Sequence, residues 1–156
     1  MKLSIKQKLL TFGEKFSVYD ENGKKRWFSK SEAFSFGVKV RIFNAESNQV
    51  AVIRQQNFFK LTPPNYIIEI GAERYTLGYA GREKQRYCLG EKNWEIAEDE
   101  SPYNYKVYCG GELVMAVVQK AVEKRNERDL ELNFENGNDE LLALSITLIF
   151  SSVNNE

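Results

Sequence analysis

Histidine is absent from this chain of 156 residues. That removes every Ser-His or Cys-His nucleophile and every imidazole metal ligand at once. Cysteine occurs only at Cys88 and Cys109, without the short paired spacing of a metal site. Free thiols in a reducing cytosol are the plain reading, and a disulfide between the two is the alternative. Proline is scarce, and Pro63-Pro64 and Pro102 fall between apolar runs, where loops belong. Net charge is nil, with 22 Lys and Arg against 22 Asp and Glu. A strong nucleic-acid binder or a polybasic membrane-adsorbed protein carries a basic excess, so nucleic acid is not an expected partner. No apolar run approaches the roughly 20 residues that cross a bilayer as a helix. The polar start, with Gln7, Lys8, Thr11 and Glu14, also lacks the apolar stretch of a signal peptide. The expected location is cytoplasmic, at most peripheral to a membrane, and the protein is not integral to one.

Motif chemistry is equally thin. The chain has no Gly-x-x-x-x-Gly-Lys phosphate loop and no Gly-x-Ser-x-Gly elbow. Asp20-Glu21-Asn22-Gly23 resembles the start of a calcium loop but lacks the alternating ligands and distal Glu, so it reads as a turn. Glu95, Glu98, Asp99 and Glu100 could supply the paired carboxylates of a hydrolase. Nothing in their spacing sets a separation, and a solvated acidic loop is the simpler account. The expectation is therefore no catalytic residue, no metal site and no cofactor.

What the chain does have is an apolar C-terminus, Leu141 to Val153, preceded by Asp139 and Glu140. Its polar members, Ser145, Thr147, Ser151 and Ser152, are small and share no single face. A helix apolar all round must be enclosed. The Leu-Leu-Ala-Leu opening favours a helix over about 139–152, with Asn138 as N-cap and two acids at the positive end of the dipole. A buried strand through Ile146–Phe150 is the rival, since periodicity does not separate the two.

The remainder repeats. Phe12-Gly-Glu-Lys-Phe-Ser-Val-Tyr-Asp20 aligns with Phe36-Gly-Val-Lys-Val-Arg-Ile-Phe-Asn44, and weaker copies begin at Asn65 and Asn104. Fixed-period self-similarity marks a repeated supersecondary unit, here a hairpin. Side chains alternate with period two: Phe16 and Val18, Val40 and Ile42, Tyr105 and Val107 on one face. Ser17 and Tyr19, Arg41 and Phe43, Lys106 and Tyr108 share the other. Turn residues follow at Asn22-Gly23, Gly71-Ala72 and Gly110-Gly111. Return strands are expected at Arg26–Lys30, Gln49–Arg54, Arg74–Tyr79 and Leu113–Gln119. Further strands are expected at Leu3–Leu10, Phe58–Leu61, Arg86–Leu89, Trp94–Ala97 and Leu130–Phe134. Glu112–Arg128 also suits a helix, but the fourth repeat favours a strand to Gln119 followed by a charged connection.

With 42% hydrophobic content, residues 1–156 suit one domain with a single core. About a dozen short strands and one all-apolar helix call for an enclosing architecture. A closed antiparallel β-barrel supplies it, since it has no edges and its interior widens with strand number. A helix about 10–12 Å across needs a barrel wider than the eight-stranded kind. The expected fold is thus mainly β, a closed barrel of about twelve strands threaded by its own C-terminal helix.

The stretch Lys8-Leu-Leu-Thr-Phe-Gly-Glu-Lys-Phe-Ser-Val-Tyr-Asp-Glu-Asn-Gly23 resembles the opening of the LURP-one-related family, which has a Tubby C-terminal-like fold. Phe34–Phe43, Trp94-Glu-Ile, Tyr105–Gly111 and Asp139–Phe150 resemble later blocks of that family. The resemblance implies a twelve-stranded barrel around a hydrophobic helix. Ala121–Arg128 departs from it, being highly charged where the family tends to an aromatic and Gly-containing turn. Tubby-like barrels are associated with phosphoinositide headgroups and the related scramblases with phospholipid, which makes anionic headgroups an implied ligand. Lys24, Lys25 and Arg26 on the first hairpin are the nearest candidates to grip a phosphate. The simpler account is a hairpin showing polar residues to water. A second basic group, Lys120, Lys124, Arg125 and Arg128, is broken by Glu123 and Glu127. The competing expectation is a protein-interaction module, in which outward Tyr19, Phe43 and Tyr108 would contact a partner.

Overall fold

The computed structural model describes residues 1–8, 14–30, 38–56, 64–79, 87–98, 104–120 and 126–153. The described residues form twelve strands and one helix. The strands are β1 (Lys2–Lys8), β2 (Glu14–Tyr19), β3 (Lys25–Lys30), β4 (Val38–Asn44), β5 (Gln49–Gln56) and β6 (Asn65–Ile70). They continue as β7 (Glu73–Tyr79), β8 (Tyr87–Leu89), β9 (Trp94–Glu98), β10 (Tyr105–Cys109), β11 (Glu112–Gln119) and β12 (Glu127–Phe134). The helix, α1, spans Glu140–Val153. Each strand pairs antiparallel with its sequence neighbours, and β1 pairs with β12 to close the ring. The expected strand to Gln119 is present, whereas Phe58–Leu61 and Ala121–Arg125 lie outside the described residues.

Alternation puts one row of each strand into the lumen. Phe16, Val18, Val40, Ile42, Tyr105 and Val107 are all buried, as the repeat implies. Leu142 through Ser151 of α1 are buried without interruption, so the lumen is occupied by the chain's own helix. Burial of this kind stabilises by about 25 cal/mol per Å² of apolar surface. The hydroxyls inside cost little, because each donates to the carbonyl four residues back: Ser145 to Leu141 (2.7 Å), Thr147 to Ala143 (2.8 Å) and Ser151 to Thr147 (2.8 Å). Tyr105 differs: its ring meets Phe150 edge-on, its buried hydroxyl makes no well-formed hydrogen bond among the described residues, and burial pushes its ionisation far up despite the nearby Thr147 hydroxyl.

The helix N-terminus is capped earlier than the sequence suggests. A 3-10 turn, Gly137–Asp139, precedes α1, and the Asn136 side chain accepts from the Asn138 amide at 3.0 Å. Asn138 is therefore inside the turn, and Asn136 does the capping. At the other end, the Gln7 side-chain amide donates to the Ser151 carbonyl (3.4 Å) and accepts from the Arg128 guanidinium (3.1 Å). Gln7 and Arg128 are cross-strand partners on the lumen side.

The repeat extends to a local irregularity. Register shifts between Val18 and Tyr19, between Ile42 and Phe43, and between Val107 and Tyr108. In each hairpin one residue of the return strand is left over opposite the shift: Arg26, Val50 and Val114. A bulge re-aims such a residue. Val50 and Val114 pack against the core, and Arg26, in the same position, turns towards the mouth where α1 begins. The turns beyond the shifts use left-handed backbone at Gly23 (φ 79°) and Gly110 (φ 58°), which Gly adopts without steric cost.

Candidate functional site on the outer wall

With the lumen occupied by α1, the described surfaces open to solvent are the mouth where α1 begins and the outer wall. At the mouth the charges are paired. The Glu140 carboxylate accepts from Arg26 at 2.7 and 3.1 Å and from the Trp27 indole at 2.9 Å, and Lys92 meets Asp139 at 2.9 Å. Tyr75 donates to Glu73; that hydrogen bond, with burial and the Glu73, Asp139 and Glu91 charges, pushes the phenol up to about 12. Arg26, Trp27, Glu73, Tyr75, Asn138 and Asp139 are among the residues lining a cavity of about 240 Å³ there. These groups tie α1 to its collar.

The three basic candidates separate. Lys25 is ion-paired with Glu14, while its ammonium also sits 5.0 Å from the Phe28 ring centre. Arg26 is engaged at the mouth, on the other side of the wall. Lys24 is exposed in the turn and makes no ion pair among the described residues. Asp20, the residue of the calcium-like motif, is used locally, its carboxylate accepting from the Asn22 and Lys24 amides at 2.9 Å each. Burial alone would raise the Glu14 carboxyl, but hydrogen bonds from Lys25 and Ser17 and the charges of Lys25 and Lys8 outweigh it and hold it below the ordinary range.

A broader basic surface surrounds Lys24. Residues 1–44 carry ten Lys and Arg against four Asp and Glu, whereas the rest of the chain carries twelve against eighteen. The strands of that segment, β1 to β4, are neighbours in the ring and make one continuous sector of wall. Lys6, Lys8, Lys24 and Lys30 make no ion pair among the described residues. Asp129 and Glu127 of β12 lie across from Lys6 and Lys8; Glu14, across from Lys30, is already paired with Lys25, and Asp20 lies beside Lys24. Phe28 and Phe43 stack at 5.3 Å, and the Lys30 ammonium stands 5.9 and 5.7 Å from their centroids. Ring faces of this kind attract the ammonium and hold it against the wall. The nil overall charge conceals this sector; a segment-by-segment count exposes it.

Of the second basic group, Lys120 and Arg128 are described, and they lie apart in role. Arg128 is 8% exposed and faces the lumen beside Gln7, because β12 alternates and 128 falls in the inward row. Lys120 pairs with Glu131 at 2.7 Å, and Lys124 and Arg125 lie outside the described residues. Of the acidic cluster, Glu95 is exposed on β9 and Glu98 ends that strand, while Asp99 and Glu100 are outside the described residues. Among the described residues no group of three or more acids or cysteines could hold a metal ion. Cys88 and Cys109 form no disulfide; alternation turns Cys88 outward, while Cys109 packs towards the core. Tyr19, Phe43 and Tyr108 are each half-buried on the outer face.

The family model described as LURP-one-related matches residues 1–151. The chain belongs to the LURP-one-related family. A curated relative, the uncharacterised protein YxjI of Bacillus subtilis (strain 168), is 23% identical over 155 residues, covering 98% of this chain and 93% of that protein. A protein from Arabidopsis thaliana solved by X-ray crystallography superposes with a TM-score of 0.65 at 17% identity, over 98% of this chain and 91% of that one. At that identity the likeness establishes the barrel fold. No described helix is long and apolar enough to cross a membrane.

Proposed function

We propose that this LURP-one-related barrel is a non-enzymatic binding module that engages anionic phospholipid headgroups through the outer wall of β1 to β4. The observation that carries the reading is the set of exposed lysines without ion pairs among the described residues, Lys24 and Lys30 with them, backed by the Phe28–Phe43 stack. Ammonium groups on flexible stems attract phosphate as point charges and impose little geometry. A convex wall of this kind suits a charged surface better than a small molecule held in a cleft. The occupied lumen supports the same conclusion, since it reserves the barrel interior for α1.

Flotation with vesicles of phosphatidylcholine alone and with added phosphatidylserine or phosphoinositide tests this. The expected result is binding to anionic vesicles at low salt that fades as ionic strength shortens the Debye length. Replacing Lys24 and Lys30 together by Glu should abolish it while leaving the melting temperature unchanged. Equal flotation of wild type and variant, or none with any anionic vesicle at low salt, would reject headgroup binding and leave protein contacts as the remaining role.

A further inference from the structure

The outer face of β11 breaks the pattern of the wall. Leu113, Ala116 and Val118 point outward, and Leu113 and Val118 are 45% and 42% exposed. Polar residues flank this row on both sides. On β10 stand Lys106, opposite Ala116, and Tyr108, opposite Leu113. On β12 stand Glu131, opposite Val118, and Asn133, opposite Ala116. Glu135 follows, exposed, its amide bonded to the Val114 carbonyl and its carboxylate without an ion pair among the described residues. Between β11 and β12 lies a groove of about 170 Å³, bordered by Met1, Leu113, Ala116, Asn133 and Glu135.

We propose that two copies of this chain associate through this face, about a two-fold axis running along β11. The symmetry decides the contacts. An axis along the strand places each outward residue of β11 against its own counterpart, so the apolar rows cover each other. It also lays the β10 side of one copy over the β12 side of the other. Lys106 then comes within reach of Glu135 of the second copy, Glu131 being already paired with Lys120 and Lys2 of its own chain, and Tyr108 lies over the groove beside Leu113. Both contacts occur twice, as an isologous interface requires. An axis across the strand would instead set Lys106 against Lys106, which like-charge repulsion disfavours. The face is separated by at least three strand positions from β2 to β4, so the lysine-rich wall of each copy stays uncovered.

Sedimentation velocity across a concentration range, combined with single-cysteine crosslinking, tests the arrangement. The expected result is a reversible dimer with a Kd of about 1 mM or tighter. Leu113→Lys should weaken it by about tenfold or more by placing like charges on the axis. Tyr108→Ala, an outward change that removes no lumen contact, should weaken it as well. In a chain carrying Cys88→Ser and Cys109→Ser, Ala116→Cys should crosslink to its own copy on mild oxidation, whereas Lys6→Cys, two strands away on β1, should not. Circular dichroism melts confirm that each variant remains folded. A monomer mass throughout the range overturns the proposal. So does a dimer that survives Leu113→Lys, or one that crosslinks at Lys6 and not at Ala116.

Discussion

The two sides of the β1–β4 wall are built from alternating residues of the same strands, yet they obey different rules. Inward positions such as Phe16, Val18, Val40 and Ile42 are fixed by what they touch, a helix that fills the space they leave. Outward positions such as Lys6 and Lys30, with Lys24 in the turn before β3, touch few protein groups, and their arrangement reflects charge more than packing. Specificity of fold therefore resides inside, and any specificity of binding resides outside. Arg26 shows where the separation fails: a bulge takes a residue from the outward series and delivers it to Glu140. The lesson is that a basic run on a hairpin is not a basic patch until its register is known.

Breaking the inner side should have the largest effect. Leu144 is fully buried at the centre of α1. Leu144→Asp places an unpaired charge in the lumen, and a chain with a typical stability of about 5–15 kcal/mol should not fold with it. Leu144→Ala leaves a cavity instead and should cost about 2–5 kcal/mol, measurable by urea unfolding. A Leu144→Asp variant that is soluble and shows the native melting transition would mean that α1 is not enclosed. Charge reversal at Lys24 and Lys30, by contrast, should leave the same transition in place, which is the sharpest form of the inside–outside comparison.

The mouth comes next in size, because it mixes the two rules. Glu140 is one carboxylate answering three donors, from Arg26 and Trp27, at the start of a helix whose dipole favours negative charge. Glu140→Leu strands the partly buried Trp27 indole N–H and should cost about 1–3 kcal/mol. Glu140→Gln keeps an acceptor and should cost about half as much, as neutral hydrogen bonds are roughly half as strong as charged ones. Equal losses in chemical denaturation would show that charge plays no part and that packing alone holds the mouth.

Much of this architecture was legible in the residues. Period-two alternation placed the lumen rows correctly, and an apolar helix with no wet face required a container. The capping residue was misplaced because a 3-10 turn before α1 has no apolar signature, so Asn138 stood in for Asn136. The outer wall was less legible for a physical reason: alternation says which residues face out, but not which acids answer them. Glu14 and Glu140 lie 11 residues before Lys25 and 114 residues after Arg26, respectively. Glu14 is brought to Lys25 by a hairpin, and Glu140 is brought to Arg26 only by closure of the whole barrel. Arg128 misled for the opposite reason, since a charged residue in an inward row reads as surface until a partner such as Gln7 is placed beside it.

The smallest effect belongs to the outer ion pairs, and acid separates it from the rest. Glu131 is held below its ordinary value of 4.5, first by the hydrogen bond from Lys120 and then by that from Asn133. Glu14 is held down too, against its burial. A carboxyl with a depressed folded pKa binds protons more weakly in the native state than in the unfolded chain. Its contribution is fully present above about pH 4.5 and is lost as pH falls through the lower folded value. Thermal stability should therefore decline on the acid side of that point, and Glu131→Gln should flatten the decline without moving the plateau at neutral pH by more than about 1 kcal/mol. The Lys120 side chain is 54% exposed, so added salt should shrink the difference further. If Glu131→Gln instead lowers stability equally at all pH values, the residue acts by packing in the wall, and the outer face is governed by the same rule as the lumen.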